Sequence, residues 1–311
     1  MRVFITGGTG FVGRALGRAL GEAGHRVTVL TRSARAAQGL PPGVEIIEGD
    51  PTRPGPWQEA LAGHQGIVNL AGASIFGRWT RRYREEILAS RVLTTRHLVQ
   101  ALAGRPAGED TVLVSASAVG YYGFCGHREL DESAPAGDDF LAQVCGRWEQ
   151  EALAAREAGA RVVLARLGIV LGPGGGALGR MLPVFRLGLG GRLGSGRQWF
   201  SWIHIQDLVR ALVFCLEEPG LKGPVNCTAP EPVTNRELTR HLARALGRPA
   251  FLPVPGPLLR LVMGEMGSVL LEGQRVVPAA LEGAGFVFSF PGLGKALAHI
   301  LSPGTRAPGR A

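Results

Sequence analysis

Lysine is almost absent from this chain of 311 residues: only Lys222 and Lys295 occur among its 34 basic residues, and the others are arginines. The formal net charge is +9, but the arginines are scattered, apart from a group at 78–84. Recognition of nucleic acid requires a basic face with aromatic side chains on which bases stack, and aromatic residues make up only 6% of the chain. The composition therefore predicts no nucleic-acid partner.

Long apolar runs and paired cysteines are also missing. No window approaches the roughly 18 consecutive apolar residues of a membrane span, although 45% of the residues are hydrophobic. The first apolar run already has the pattern of a strand, which leaves no separate signal region. The four cysteines have neither C-x-x-C nor zinc spacing, which is typical of free thiols in a reducing compartment. We therefore expect a cytoplasmic protein with no membrane partner.

A glycine turn stands close to the N-terminus. Strand-forming residues at 2–6 run into Gly7, Gly10 and Gly13, and a helical pattern with one apolar face follows. This is the order of a dinucleotide-binding fold, in which the first N–H groups and the positive dipole end of the helix face the phosphates. Gly7 makes the tight turn, Gly10 leaves room for a pyrophosphate, and Gly13 lets the helix pack closely on the strand. An ordinary tight turn is the alternative, because a chain with 47 glycines shows such spacing by chance.

The end of the second strand pattern carries the signal for the type of cofactor. An NAD enzyme has an acidic residue for the ribose 2′-hydroxyl about 20 residues past the glycines. Thr31 and Arg32 stand at that point instead. A carboxylate would repel a 2′-phosphate, whereas a guanidinium binds it as a fork. NADP(H) is therefore favoured over NAD(H), and the alternative is that Arg32 is a solvated surface residue.

Strand and helix patterns alternate through the first half of the chain. Strand patterns lie at 2–6, 25–30, 44–47, 65–72, 111–115 and 161–167. The connections are long enough for crossovers, which indicates an α/β fold: a Rossmann-type, doubly wound parallel sheet with helices on both faces.

A change of composition after the sixth strand predicts a second, smaller unit. We assign 1–171 to an NADP-binding Rossmann domain, to which 201–228 return. Residues 172–200 and 229–301 are assigned to a small C-terminal α+β substrate domain, and 302–311 to a disordered tail.

Local signals fix several details. The glycines and proline at 172–176 indicate a flexible break. Asp138 is predicted to cap the helix that follows it, and Asp207 to open another. Thr234, with Glu237 three residues later, has the spacing of a capping box.

Several motifs together carry a resemblance to a known family. The glycine turn at 6–13, the Ser-Ala-Ser strand end at 115–117 and the Trp-Ile-His-Ile-Gln-Asp run at 202–207 resemble the extended short-chain dehydrogenase/reductases, the NAD-dependent epimerase/dehydratase group. Matches to its atypical, epimerase-like branch, which has a C-terminal domain of uncharacterised role, lie at 69–72, 90–91, 174–177, 186–191 and 271–278. The resemblance covers roughly residues 1–300 and implies a Rossmann domain, a small substrate domain and a cleft between them.

The same resemblance places certain positions at NADP(H). These are Thr31, Arg32, Leu70, Ala71, Glu86, Arg91 and Val170. The predicted cofactor-binding set also contains Gly7, Gly10, Phe11, Val12, Gly13, Gly72 and Ser115.

The catalytic pair typical of this family is missing. Its members use a Tyr-x-x-x-Lys motif, whose spacing puts both side chains on one helical face, so that the ammonium lowers the pKa of the phenol. Glu149 resembles the acid four positions after the family's Lys. Cys145 then holds the Lys position and Leu141 the Tyr position. Leu141 has no proton to exchange and Cys145 has no fixed charge, so the usual hydride-transfer chemistry is in question.

Other residues are candidates for the missing functions. Ser117 is the candidate for orienting a substrate carbonyl and Tyr122 for donating a proton. The alternatives are a strand-end hydroxyl bonded to backbone for Ser117, and a place in the pocket lining for Tyr121 and Tyr122. His204 can titrate near neutral pH, but its setting in a strand favours a structural hydrogen bond. The histidines show no metal spacing.

Two functions are consistent with these observations. The first is an NADP(H)-dependent oxidoreductase or epimerase-like enzyme that acts on a small carbonyl or nucleotide-sugar-type substrate through a rearranged proton relay. The second is a catalytically inactive NADP(H)-binding sensor. The sequence leaves a homodimer open.

Overall fold

The computed structural model describes residues 1–105 and 110–302. The strands are β1 Arg2–Thr6, β2 Arg26–Thr31, β3 Glu45–Glu48, β4 Gly66–Asn69, β5 Val112–Ala118, β6 Glu129–Leu130, β7 Arg161–Leu167, β8 Ile169–Leu171, β9 Trp199–Phe200, β10 Trp202–His204, β11 Gly223–Cys227, β12 Val233–Thr234 and β13 Arg275–Val276. The α-helices are α1 Phe11–Glu22, α2 Arg81–Ala103, α3 Phe140–Leu153, α4 Gly176–Arg186, α5 Ile205–Glu217, α6 Asn235–Leu246, α7 Gly256–Met263, α8 Glu265–Leu271, α9 Ala279–Gly283 and α10 Leu293–Leu301. The predicted disordered tail lies outside the described residues from 303 onward. Within the described ranges, no helix has the length and apolar character needed to cross a bilayer.

Seven strands form one parallel sheet in the order β3-β2-β1-β4-β5-β7-β11. The chain moves outward from β1 to β3 on one side, then returns to β4 on the other side. This reversal beside β1 is the topological switch point at which open α/β sheets bind ligands. The predicted doubly wound sheet is confirmed, and β11 shows that Gly223–Cys227 returns to it.

The alternation of side chains along β1 explains how the sheet is covered on both faces. Val3 and Ile5 pack into a core formed with α1 and α5, while Phe4 points to the opposite face and packs with α2 and α3. Successive strand residues face opposite sides of a sheet. Because both faces of β1 are apolar, the strand is buried between two helical layers, as is typical of parallel sheets.

A third apolar cluster organises the C-terminal region. Leu178 of α4, Leu238 of α6 and Leu297 of α10 pack around Trp202 of β10. Three short pairings accompany this cluster: β8 with β10, β9 with β12, and β13 with β6. A helical region with short strands is therefore present beside the sheet, and the domain boundaries given above stay a prediction.

Helix starts follow the sequence signals with two corrections. The capping box is confirmed: the N–H and hydroxyl of Thr234 donate to Glu237 at 2.7 and 2.8 Å. Helix α3, however, is capped by Asp139 rather than Asp138, because the Asp139 carboxylate accepts from the Ala142 N–H. Asp138 and Asp139 have the same capping propensity, so the sequence alone does not distinguish between them.

The second correction concerns α5, which begins at Ile205 with His204 as its cap. Asp207 lies in the first turn instead. Its buried carboxylate accepts from the backbone N–H groups of Ser289 and Phe290 at 2.9 and 2.8 Å. Asp207 therefore joins α5 to the C-terminal segment rather than opening the helix.

The glycine-rich segment at 172–176, predicted as a flexible break, packs against an aromatic ring. A Cβ atom added to Gly172, Gly175 or Gly176 would lie 2.5–3.0 Å from ring atoms of Phe11. The glycines are needed because the chain passes directly over that aromatic ring. Phe11 thereby connects the start of α1 to the start of α4.

Candidate functional site

The glycine turn is built by close backbone contacts at the carboxyl end of β1. Gly7 has a φ of +71°, and a Cβ added there would lie 2.7 Å from the carbonyl of Leu70. A Cβ on Gly13 would lie 2.3 Å from the Gly7 oxygen. Gly13 therefore packs against the turn itself rather than against the strand. Both positions exclude any side chain, since one would collide with backbone.

Gly10 leaves the start of α1 open. A Cβ added to Gly10 meets only the Gly7 oxygen, at 3.2 Å. Gly10 is the N-cap of α1, no side chain caps the helix, and its first turn holds no acidic residue. The first helical N–H groups and the positive end of the dipole are then available to an anion. A cradle of this shape and polarity fits the pyrophosphate of a dinucleotide.

The residues after β2 present positive charge next to this cradle. Thr31 is buried and its hydroxyl donates to the Ser33 carbonyl at 3.2 Å. Arg32 is exposed and makes no hydrogen bond within the described part of the chain. Burial would raise the pKa of Asp50, but hydrogen bonds from Thr52 and the nearby Arg32 charge outweigh it, so that pKa lies below its usual value.

The segment after β4 closes the other side of the turn. Gly7 approaches the backbone of Leu70 and Ala71, and a Cβ on Gly72 would lie 3.1 Å from the Arg91 guanidinium. Arg91 donates to the carbonyls of Ile87 and Ala73 at 2.9 and 3.1 Å, and burial lowers its pKa. The structure therefore brings the glycine turn, the 70–72 segment and Arg91 together.

The remaining cofactor positions predicted by the resemblance lie in different settings. Val170 is half-buried beside the first core, and a Cβ on Gly176 would touch both its carbonyl and the Phe11 ring. Glu86 is exposed on α2, and its side chain forms no hydrogen bond or ion pair within the described ranges. The structure thus places Val170 next to Phe11 and leaves the carboxylate of Glu86 open to solvent.

A buried hydrogen-bond network connects β1, β4 and β5 with α2. The Thr6 hydroxyl donates to Asn69 at 2.7 Å, and the Asn69 amide donates to Thr95 at 2.8 Å and to Ser115 at 3.3 Å. All four side chains are buried. The hydroxyl of Ser115, predicted to bind cofactor, is therefore engaged with Asn69, and its contribution is to fix β4 against β5.

Ser117 belongs to a second buried network. Its hydroxyl donates to Glu149 at 2.7 Å, and the Arg166 guanidinium donates to both oxygens of Glu149 at 2.8 and 2.9 Å. Burial alone would lower the pKa of Arg166, but the hydrogen bonds and the charge of Glu149 raise it. The pair is a bidentate, charge-assisted contact between α3 and β7.

Tyr122 is held by the same network, and the structure argues against it as the proton donor. Its hydroxyl donates to Asn226 at 2.6 Å and accepts from Arg166 at 2.9 Å. The side chain is fully buried, and burial raises its pKa to about 12. A proton donor must reach its substrate, and this hydroxyl is engaged by side chains of β7 and β11 in the interior.

Tyr121 has a different environment. It is half-buried, and the Arg166 guanidinium lies 3.5 Å from its ring centroid. The hydroxyls of Tyr83 and Tyr122 are both donors to protein acceptors. That of Tyr121 has no hydrogen-bond partner within residues 1–105 and 110–302. Among the described tyrosines, Tyr121 is thus the phenol that remains available to a ligand.

The residues at the Tyr and Lys positions of the family motif cannot perform the proton transfer of that pair. Leu141 packs against Gly120, where an added Cβ would lie 3.3 Å from the Leu141 Cβ. Cys145 is buried beside Ser117, and burial raises the pKa of its thiol to about 11. At neutral pH this thiol is protonated and neutral, so it supplies neither a cation nor a thiolate.

His204 has a structural role. Its Nδ1 accepts from the Gln206 N–H at 3.0 Å, its Nε2 lies 3.2 Å from Nδ1 of His299, and its ring stacks on Phe290 with centroids 4.0 Å apart. Burial, together with His299, lowers its pKa to about 4. The imidazole is neutral and belongs to the C-terminal packing rather than to a reaction.

Sequence reasoning missed four polar residues that shape this region: Arg14, Glu132, Arg166 and Asn226. Arg166 and Asn226 each stand between apolar residues within a strand, and this is the signal that could have found them, since buried polar groups need partners. Glu132 accepts from the backbone N–H groups of Asn226 and Ala280. Its partners lie 94 and 148 residues away, so no local pattern reveals them.

Comparison with known proteins gives two family matches. Residues 3–227 match the NAD dependent epimerase/dehydratase family, and residues 254–300 match a domain of unknown function, DUF1731. The chain is 44% identical over 307 residues to the chloroplastic epimerase family protein SDR39U1 homolog of Arabidopsis thaliana, covering 97% of this chain and 87% of the relative. It is 38% identical over 303 residues to epimerase family protein YfhF of Bacillus subtilis, covering 97% and 98%.

A solved structure extends this similarity to the whole fold. The crystal structure of human epimerase family protein SDR39U1, isoform 2, with NADPH superposes with a TM-score of 0.85 at 39% identity. The match covers 96% of this chain and 99% of the human chain.

Proposed function

The chain belongs to the NAD dependent epimerase/dehydratase family, and from this premise we propose that it binds NADPH at the carboxyl ends of its parallel strands. The observation that carries the proposal is the cradle formed by Gly7, Gly10 and Gly13 at the uncapped start of α1. The pyrophosphate would lie on these backbone N–H groups, which need no side chain to bind an anion.

The preference for NADPH over NADH rests on charge. No carboxylate follows β2 where an NAD enzyme holds the ribose 2′-hydroxyl, and Arg32 and Arg35 are exposed there instead. A guanidinium fork suits a phosphate. The human relative solved with NADPH supports the same choice.

The proposed reaction is an oxidoreduction of a small carbonyl or nucleotide-sugar-type substrate, for which bound NADPH supplies a hydride. Ser117 and Tyr122 are held by Glu149, Arg166 and Asn226, so their role in this proposal is to fix the floor of the site. Tyr121 is the phenol left to exchange a proton with a substrate.

A second candidate is a catalytically inactive NADPH-binding sensor. One observation favours it: Leu141 and Cys145 replace the proton relay of the family, and Glu149 is paired with Arg166 rather than with a lysine. Such a protein would keep the cofactor cradle and transmit its occupancy to a partner.

The experiment that tests the proposal has two stages. Calorimetric titration with NADPH and NADH measures binding, and binding of neither cofactor would refute both candidates. The loaded protein is then mixed with a panel of carbonyls and nucleotide sugars while the absorbance of reduced nicotinamide is followed. Oxidation of NADPH supports the oxidoreductase, whereas retained cofactor without turnover across the panel supports the sensor.

Other expectations stay part of the proposal. They are a small-molecule substrate as the partner, no nucleic-acid or membrane partner, a homodimer as an open alternative, and a place in the cytoplasm. Size-exclusion chromatography with light scattering measures the oligomeric state.

A further inference from the structure

Arg14 joins the glycine turn to the loop after β2. From the first turn of α1, its Nε donates to the Thr9 carbonyl at 2.9 Å. Its Nη2 donates to the Ala36 carbonyl at 2.7 Å, and its Nη1 to the Gln38 carbonyl at 2.8 Å. All three acceptors are backbone oxygens, so this side chain fixes the path of the main chain on both sides of the proposed cofactor site.

The loop that Arg14 holds has little else to hold it. A short 3₁₀ turn, Ala34–Ala37, contains no buried residue, so apolar packing contributes little to its position. Carbonyl groups at the end of such a turn lack partners inside it, and Arg14 supplies donors for two of them. At the other end of the loop, the Thr31 hydroxyl donates to the Ser33 carbonyl. The loop is therefore anchored at its entry by Thr31 and at its exit by Arg14.

The anchored loop carries the groups expected to meet a 2′-phosphate. Arg32, Ser33 and Arg35 are all exposed, and neither arginine donates a hydrogen bond within the described residues. We propose that Arg14 is a positioning residue for cofactor selectivity, which holds the loop at 32–38 in the conformation in which Arg32, Ser33 and Arg35 bind the 2′-phosphate. This inference rests on the proposed binding of NADPH.

Preorganisation is the physical reason that Arg14 should matter. A loop held by two hydrogen bonds from Arg14 needs little further ordering when a phosphate binds, whereas a loose loop loses conformational freedom on binding and weakens the complex. NADH lacks the 2′-phosphate, so it does not depend on this loop in the same way. Loss of the anchor should therefore weaken NADPH more than NADH.

Two substitutions separate anchoring from charge. Arg14→Gln removes the positive charge and the hydrogen bonds of the guanidinium. Arg14→Lys keeps the charge, but its single nitrogen cannot reach three separated carbonyls. Dissociation constants for NADPH and NADH, and for 2′,5′-ADP and 5′-AMP as fragments, are measured by calorimetry. We expect each variant to weaken NADPH and 2′,5′-ADP by roughly tenfold, while NADH and 5′-AMP change by less than about threefold.

Arg18→Gln is the matched control, since Arg18 lies one turn further along α1, is exposed and makes no hydrogen bond or ion pair within the described chain. It should bind all four ligands like the unaltered protein. Melting temperatures of all variants are compared. The ratio of the dissociation constants for 2′,5′-ADP and 5′-AMP is measured only on variants that melt cooperatively.

Three results decide the matter. Unaltered NADPH affinity in Arg14→Lys would show that charge alone acts and would overturn the positioning role. Equal losses for NADPH and NADH would also overturn it, because Arg14 would then serve only the glycine turn. Failure of the unaltered protein to prefer NADPH would instead refute the proposed function, and this result requires no variant.

Discussion

At the scale of single residues, the glycines differ sharply in what they permit. Gly7 and Gly13 are surrounded by backbone, whereas a Cβ at Gly10 meets one oxygen at 3.2 Å and one at Gly17 meets nothing within 4 Å. The spacing of these glycines in the sequence therefore does not reveal that they have three different roles. Folding requires Gly7 and Gly13, ligand access requires Gly10, and Gly17 is free to change.

Gly10→Val should block the cofactor while leaving the fold intact. Gly10 has a φ of −76°, which any residue adopts, so the valine occupies the space of the pyrophosphate rather than straining the turn. Losing hydrogen bonds to the charged phosphates removes about 3 kcal/mol, or roughly 100-fold in affinity for NADPH. Calorimetric titration measures the effect.

Gly17→Ala is the control on the same helix. It should stabilise the protein by about 0.5–1 kcal/mol, since Ala is a better helix former than Gly, and bind NADPH normally. Undiminished binding by Gly10→Val would show that no anion lies on this turn.

The neighbouring tyrosines should respond to substitution in opposite ways. Tyr122→Phe removes the buried hydroxyl that donates to the Asn226 side-chain oxygen and accepts from Nη1 of Arg166, which should destabilise the protein by about 1–3 kcal/mol. Tyr121→Phe should leave stability within about 0.5 kcal/mol but, if the protein is an oxidoreductase, lower kcat by about 100-fold or more. Urea denaturation and turnover on an accepted substrate measure the two effects. Full turnover by Tyr121→Phe would remove Tyr121 from the reaction.

At the scale of elements, the sequence indicates which segments form and how they start better than it indicates what they touch. The alternation along β1 and the Thr234–Glu237 capping box are local, so both are visible in the pattern. Gly172, Gly175 and Gly176 read as flexible by composition, yet the ring of Phe11, far away in the chain, determines their packing. A local pattern cannot reveal such a contact.

The pairing of α3 with β7 offers a test at this scale. Glu149 and Arg166 are both nearly inaccessible to solvent, and removing one member of a buried ion pair leaves an uncompensated charge. Glu149→Ala should therefore destabilise the protein by about 3–5 kcal/mol, whereas Glu151→Ala, on the same helix with an exposed arginine partner, should change stability by less than about 1 kcal/mol. Similar melting curves for the two variants would contradict a structural role for the pair.

At the scale of the whole molecule, long-range polar contacts unite the sheet with the C-terminal region. Asn226 of β11 accepts from Tyr122, 104 residues earlier, and donates to the carbonyl of Val277 at 2.9 Å. Asp207 and Glu132 bind backbone N–H groups of the same C-terminal segment. The glycine turn and the parallel sheet could be predicted because each is encoded over a few residues. These connections could not, since each depends on two distant segments already being folded.

His204 and His299 make one of these connections sensitive to pH. Nδ1 of His204 accepts the Gln206 N–H, so its Nε2 carries the proton that it donates to Nδ1 of His299. Burial next to His299 lowers the pKa of His204 from 6.5 to about 4, although the nearby Asp207 charge acts in the opposite direction. Between these two pH values the unfolded chain binds a proton that the folded protein excludes.

Stability should therefore be unaffected by His204 above pH 6.5 and fall by about 3 kcal/mol as the pH drops from 6.5 towards 4. His204→Asn keeps a capping side chain for α5 without a titrating group, so its stability should decline less over that interval. His64, whose pKa burial also lowers, contributes equally to both proteins and cancels in the comparison. Urea denaturation at pH 7, 6, 5 and 4.5 measures the difference, and parallel pH profiles would mean that protonation of His204 does not weaken the contact between β10 and α10.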